Sequence, residues 1–108
     1  MAEEKTKYIE TVGRRKTAVA RVRITPAAKN SCLVNEQDVD AYFKTDELRR
    51  TAVEALHLEK LPVNFKITAK IQGGGATGQA EALRHGIARA LIIYDLELRK
   101  KQKAAGFL

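Results

Sequence analysis

The stretch Val63-Asn64-Phe65-Lys66-Ile67-Thr68-Ala69-Lys70-Ile71-Gln72-Gly73-Gly74-Gly75-Ala76-Thr77-Gly78-Gln79-Ala80 is the most informative part of this 108-residue chain. Val63, Phe65, Ile67, Ala69 and Ile71 alternate with Asn64, Lys66, Thr68, Lys70 and Gln72, which predicts a strand with one buried and one wet face. The glycines follow at once, and beyond them the apolar period lengthens to about 3.6 residues. Ala80, Leu83, Ile87, Ala90, Leu91, Tyr94 and Leu98 share one face of a helix running from about Thr77 past Lys100. Glu81, Arg84, His85, Ala88 and Arg89 lie on the other. A glycine loop opening into a helix allows close backbone approach and offers free N–H groups and a partial positive charge. The helix arginines add fork-shaped donors. Such chemistry suits a phosphate, whether of a nucleotide or of a nucleic-acid backbone.

The flanking sequence supplies the remaining elements. Upstream, Tyr8 to Val12 reads as a strand and Gly13-Arg14-Arg15-Lys16 as a turn. From Thr17 to Thr25, Ala18, Ala20, Val22 and Ile24 alternate with Thr17, Val19, Arg21 and Arg23. The two runs predict a hairpin with Arg14, Arg15 and Lys16 at its tip and with Arg21 and Arg23 along the open face. Pro26 is expected to end the second strand. Ser31 to Val34 is a weaker third strand. Asn35 reads as the cap of a short helix carrying Val39, Tyr42 and Phe43, and Thr45 as the cap of a second with Leu48, Ala52, Ala55 and Leu56 buried. His57 reads as a polar cap, Pro62 bars further helix, and Gly106 is a natural helix stop. The predicted order is three strands, helix, strand, helix: an α+β, two-layer β3-α-β-α sandwich forming a single domain over residues 1–108, with 1–6 flexible.

Charge narrows the function. The net charge is +7, and Lys5 to Ile24 holds seven cations against the single anion Glu10. Glu36 to Lys60 reverses this, with seven anions against four cations. Such segregation marks an electrostatic footprint for an acidic partner. A single cysteine, Cys32, excludes an internal disulfide, fits a reducing compartment and reads as a small apolar residue. No signal peptide or membrane-length apolar run is evident, so a soluble, intracellular protein is expected.

Gly73-x-Gly75-x-x-Gly78 matches a dinucleotide-binding fingerprint after a strand and before a helix. The parallel strand that should follow the helix, with its acidic residue for the ribose, is missing. A P-loop needs Lys-Ser/Thr where Gln79-Ala80 stand. His57 and His85 lack metal-ligand spacing, and no acid–base or nucleophile constellation appears. No catalytic residue, metal or cofactor is therefore expected. What remains is a phosphate grip at two separate basic points, the hairpin tip and the glycine loop with its helix, as suits structured RNA. DNA stays open, although no helix-turn-helix or zinc signature is present.

At these residues the chain resembles a known family. Gly13-Arg14-Arg15-Lys16-Thr17-Ala18-Val19-Ala20-Arg21-Val22 looks like the first signature of small-subunit ribosomal protein nine, bacterial type. Gly73 to Leu91 looks like the second and more specific one. The likeness runs from about Tyr8 to Leu108 and includes Ala41-Tyr42-Phe43. The resemblance implies a β3-α-β-α fold with a left-handed βαβ crossover and a cytoplasmic, ribosomal location. It implies binding to the 3′ major domain of small-subunit ribosomal RNA in the subunit head, beside head proteins seven, ten and fourteen, with no membrane role.

The expected RNA contacts are Arg14, Arg15, Lys16, Arg21, Arg23, Gly73, Gly74, Gly75, Thr77, Gln79, Arg84, His85, Arg89, Lys100, Lys101 and Lys103. The last three also answer the dipole of a helix C-terminus. The family continues past Gly106-Phe107-Leu108 into a basic tail that reaches the peptidyl-site tRNA. Here either residues 104–108 are the truncated start of such a tail or the lineage lacks it, and the tRNA contact is expected only if the tail exists, not from any residue present. Two other readings are an RNA-binding accessory or processing factor on the same fold, and a nucleotide-using enzyme.

Overall fold

The structure is a computed structural model describing residues 8–57 and 63–107. The expectations for residues 1–6 and Pro62 lie outside them. β1 (Ile9–Arg15) and β2 (Ala18–Ala27) pair antiparallel, from Ile9 opposite Ile24 to Arg15 opposite Ala18. Only Lys16 and Thr17 are left for the turn, so Gly13, Arg14 and Arg15 belong to the strand and not to the turn expected for them. Lys16 has φ 58°, the positive value that a tight two-residue hairpin demands. β2 also runs through Pro26 instead of stopping there. Pairing with β1 ends at Ile24, so at Pro26 β2 pairs on one side only among the described residues, and a missing N–H can be tolerated.

β3 (Ser31–Val34) pairs antiparallel with a two-residue β4 (Gln37–Asp38), and β5 (Asn64–Gln72) lies between β2 and β3. The sheet order is β1-β2-β5-β3-β4, antiparallel except for the parallel β3/β5 pair. That parallel pair, with helices in its connection, is the βαβ unit of the expected α+β sandwich.

Asn35 does not cap a helix. With Glu36 it forms the β3–β4 turn, at φ 50° and 71°, a conformation that asparagine tolerates. Its side chain pairs with β5 instead: Oδ1 accepts from Ile71 N–H at 2.9 Å and Nδ2 donates to Ile71 O at 3.0 Å. The helix cap is Asp38, which accepts from Asp40 N–H ahead of α1 (Val39–Tyr42). Thr45 caps α2 (Asp46–Val53) as its sequence predicts, by accepting from Leu48 N–H at 3.2 Å. A 3-10 turn follows over Glu54–His57.

The long C-terminal helix is two helices. α3 spans Ala76–Tyr94 and ends at Asp95 (φ −149°, ψ 107°); a 3-10 turn at Leu96–Leu98 leads into α4 (Arg99–Ala104). No glycine or proline marks the break. The bend returns the chain so that Leu98, Gln102 and Phe107 are buried. Gly106, at φ 84°, ends α4 as expected.

The core lies between the sheet and the helices. Ala18, Ala20, Val22, Ile24, Phe65, Ile67, Ala69 and Ile71 face Leu83, Ile87, Ala90 and Leu91 of α3. Ala88, expected on the wet side of α3, is fully buried, because α2 and the 3-10 turn cover α3 on the side away from the sheet. Among the described residues, no helix covers the opposite face of the sheet.

Candidate nucleic-acid interface

The hairpin tip and the glycine loop form one site, not two. Gly73 and Gly74 have φ of 80° and 65°, and both are pressed onto the β1–β2 turn. A Cβ on Gly73 would collide with Thr17 O, and one on Gly74 would meet Ala18 N at 3.1 Å. These two glycines therefore admit the protein's own hairpin. Gly75 alone in the loop faces open space. It caps α3 with no side-chain hydrogen bond and no acidic residue in the first turn, so the N–H groups beside exposed Thr77 keep their positive end.

Gln79 holds this loop. Its Nε2 donates to Gly73 O at 3.0 Å, and its Oε1 accepts from Tyr42 Oη at 2.6 Å. Tyr42 Oη in turn accepts from Asn35 Nδ2 at 3.4 Å. Both ends of the Gln79 amide are thus spent on internal contacts that rigidify the loop.

The polar face of α3 closes the outer edge of β1. Thr11 Oγ1 donates to Gly86 O at 2.7 Å, Arg14 N–H donates to His85 Nδ1 at 3.2 Å, and Arg89 Nη1 donates to Val12 O at 2.8 Å. An unpaired sheet edge is an aggregation hazard, and these bonds cover it. Burial, and then the neighbouring Arg89 charge, hold the His85 pKa below its usual value. A neutral imidazole is the form whose Nδ1 can accept from Arg14.

Arg84 is an internal tether. Its Nη1 meets Glu54 Oε1 at 2.9 Å, and its guanidinium lies 4.5 Å from the centre of the Phe107 ring. Arg15 pairs with Glu81 at 2.9 Å and stays more than half exposed. Together with Arg14, His85, Gly106 and Phe107, these residues line a cleft of about 190 Å³.

Arg14, Arg21 and Arg23 fall on the open face by strand alternation, opposite Val19, Val12 and Glu10. Glu10 bonds Arg23 at 3.1 Å and lies 3.6 Å from Arg21. Lys66 and Lys70 occupy the same face on β5. They are absent from the sequence-derived contacts, although their alternation already put them on the wet side. Lys100, Lys101 and Lys103 are exposed on α4, around buried Gln102.

Cys32 is buried, and burial followed by the nearby Asp38 and Asp40 carboxylates pushes its thiol up to about 12. It is therefore no nucleophile at neutral pH. Among the described residues no His/Cys/Asp/Glu group is placed to hold a metal, and no helix is long and apolar enough to cross a membrane.

Fold and surface together define a class: a small α+β protein whose main feature is a cationic edge built from a strand hairpin and a helix start. A family model described as Ribosomal protein S9/S16 matches residues 13–108. The chain belongs to that family. It is a ribosomal protein, a structural and non-enzymatic part of the translation machinery, and its family implies ribosomal RNA and other ribosomal proteins as partners.

Proposed function

We propose that this protein binds the 3′ major domain of small-subunit ribosomal RNA, in the head of the subunit of a cytoplasmic ribosome, beside head proteins seven, ten and fourteen. The observation that carries the reading is the fusion of hairpin tip and glycine loop into one rigid cationic edge. Arg14, Arg15, Lys16, Thr77 and the first N–H groups of α3 are the phosphate ligands there. Gln79, Arg84, His85 and Arg89 shape that edge and offer their remaining donors. Arg21, Arg23, Lys100, Lys101 and Lys103 add charge around it. Residues 1–108 act as one RNA-binding domain. Rigid donors of this kind recognise backbone geometry, not sequence.

The test is titration of a 3′ major domain transcript across salt concentrations. With roughly six phosphate contacts, affinity should fall about a thousandfold between 50 and 200 mM salt. Arg14→Glu/Arg15→Glu/Lys16→Glu should abolish binding with the fold retained by circular dichroism. A salt-independent affinity, or full binding by the triple variant, sinks the reading.

A further inference from the structure

The open face of the sheet carries a charge arrangement that the hairpin edge does not explain. Arg21 on β2 and Lys70 on β5 are directly opposed in the antiparallel ladder. Directly opposed like charges repel and destabilise a sheet. On the same face Arg23 lies two residues beyond Arg21, opposite Thr68, and Lys66 lies four residues from Lys70, opposite Thr25, so the cations step along the ladder in one direction. Same-face neighbours on a strand are about 6.6 Å apart, comparable to the repeat of phosphates along an RNA strand.

Among the described residues, neutralisation of this face is incomplete. The single Glu10 carboxylate serves both Arg21 and Arg23, whose side chains remain 64% and 49% exposed. Arg21, Arg23, Lys70 and Glu36 surround a shallow depression of about 220 Å³ floored by Leu33 and Thr68. Leu33 is 38% exposed, an apolar floor suited to a sugar ring. The Arg23 guanidinium also lies 4.6 Å from the ring centre of Tyr8, which is 47% exposed.

We propose that this open face is a second RNA-binding surface, on the side of the sheet away from the helices, which takes the sugar–phosphate backbone of a single-stranded segment. The proposal rests on the RNA-binding reading above and adds Lys66 and Lys70 as its ligands. A polyanion relieves the Arg21–Lys70 repulsion. The Tyr8–Arg23 stack gives an unpaired base a platform, which favours RNA over an acidic peptide.

The experiment compares the full chain with Lys66→Gln/Lys70→Gln. The probes are a uridine 20-mer, the 3′ major domain transcript and a polyglutamate of equal length. The variant should bind the uridine 20-mer about tenfold more weakly at low salt. Its log K against log salt slope should be shallower by about 1.4, two single-strand phosphate contacts. Its melting temperature should not fall, because a repulsive pair has been removed. An unchanged affinity and slope overturns this surface alone. Loss of polyglutamate binding with RNA binding intact also overturns it, and makes the face a protein-docking surface. Equal wild-type affinity for the transcript and the 20-mer defeats the ribosomal RNA reading, while a weakened variant still supports the surface.

Discussion

Gly13 on β1 and Gly86 on α3 are packed so closely that neither has room for a side chain. A Cβ on Gly13 would strike Ala82 O and Gly86 N, and one on Gly86 would strike Val22 Cγ2. This contact sets the distance between the two layers, and it places His85 and Arg89 against the outer edge of β1.

Gly13→Ala should therefore destabilise the protein by roughly 1–3 kcal/mol, since the atoms in the way are backbone and cannot rotate aside. Gly75→Ser should be neutral or raise stability by a few tenths of a kcal/mol, because Gly75 faces open space at a helix cap position. Urea midpoints of the two variants test the contrast. A loss of stability in Gly75→Ser as large as that in Gly13→Ala would contradict it.

Stability should fall on acidification through His85. Its folded pKa is lowered by burial and by Arg89, so the unfolded chain binds the proton more readily. The contribution is complete above the unfolded pKa of about 6.5 and is lost as pH falls through the folded value. Protonation also removes the acceptor for Arg14 N–H. Denaturation at pH 7.5 and pH 5.5 should show a larger drop for the wild type than for His85→Gln. Equal drops would exclude the link.

Phe107→Ala should cost about 3 kcal/mol, the usual loss for a buried ring. Glu54→Gln, which removes the partner of Arg84, should cost less than about 1 kcal/mol, because Glu54 is half exposed and the pair is solvent-screened. Burial therefore outweighs charge at this C-terminal contact. Hydrogen exchange of Phe107→Ala should show α4 opening while β2 and β5 stay protected. Uniform loss of protection would instead mean that α4 unfolds together with the core.

Lys16 holds a left-handed conformation that costs a non-glycine residue about 1–2 kcal/mol. Lys16→Gly should raise the melting temperature and weaken RNA binding at the same time, since the charge leaves with the strain. A variant that is more stable and binds as before would show that Lys16 carries no phosphate contact.

The sheet was legible wherever one face is buried. Alternation in Val63–Ile71 and Ala18–Ile24 identified β5 and β2 together with their inward faces, because a half-buried strand must alternate. Thr45 and Gly106 were legible because helix ends need particular residues. Other features carried no local signal. Asn35 resembles a cap in sequence, and only the nearby β5 backbone turns it into a bridge to Ile71. The break at Asp95 has no glycine or proline, and the burial of Leu98 and Phe107 selects it. Gly13 reads as a turn residue until a helix 73 residues away is packed against it.

The site divides in the same way. Residue order alone shows the inventory: a cationic hairpin and a glycine loop entering a helix. Each of these follows from residue type and short-range spacing. How that inventory is arranged follows from packing in three dimensions. Packing joined tip and loop through Gly73 and Gly74, committed Arg84 and Gln79 to internal contacts, and set Lys70 opposite Arg21. Those relations depend on strand register and interlayer distance, which arise when segments far apart in the chain compete for the same buried space.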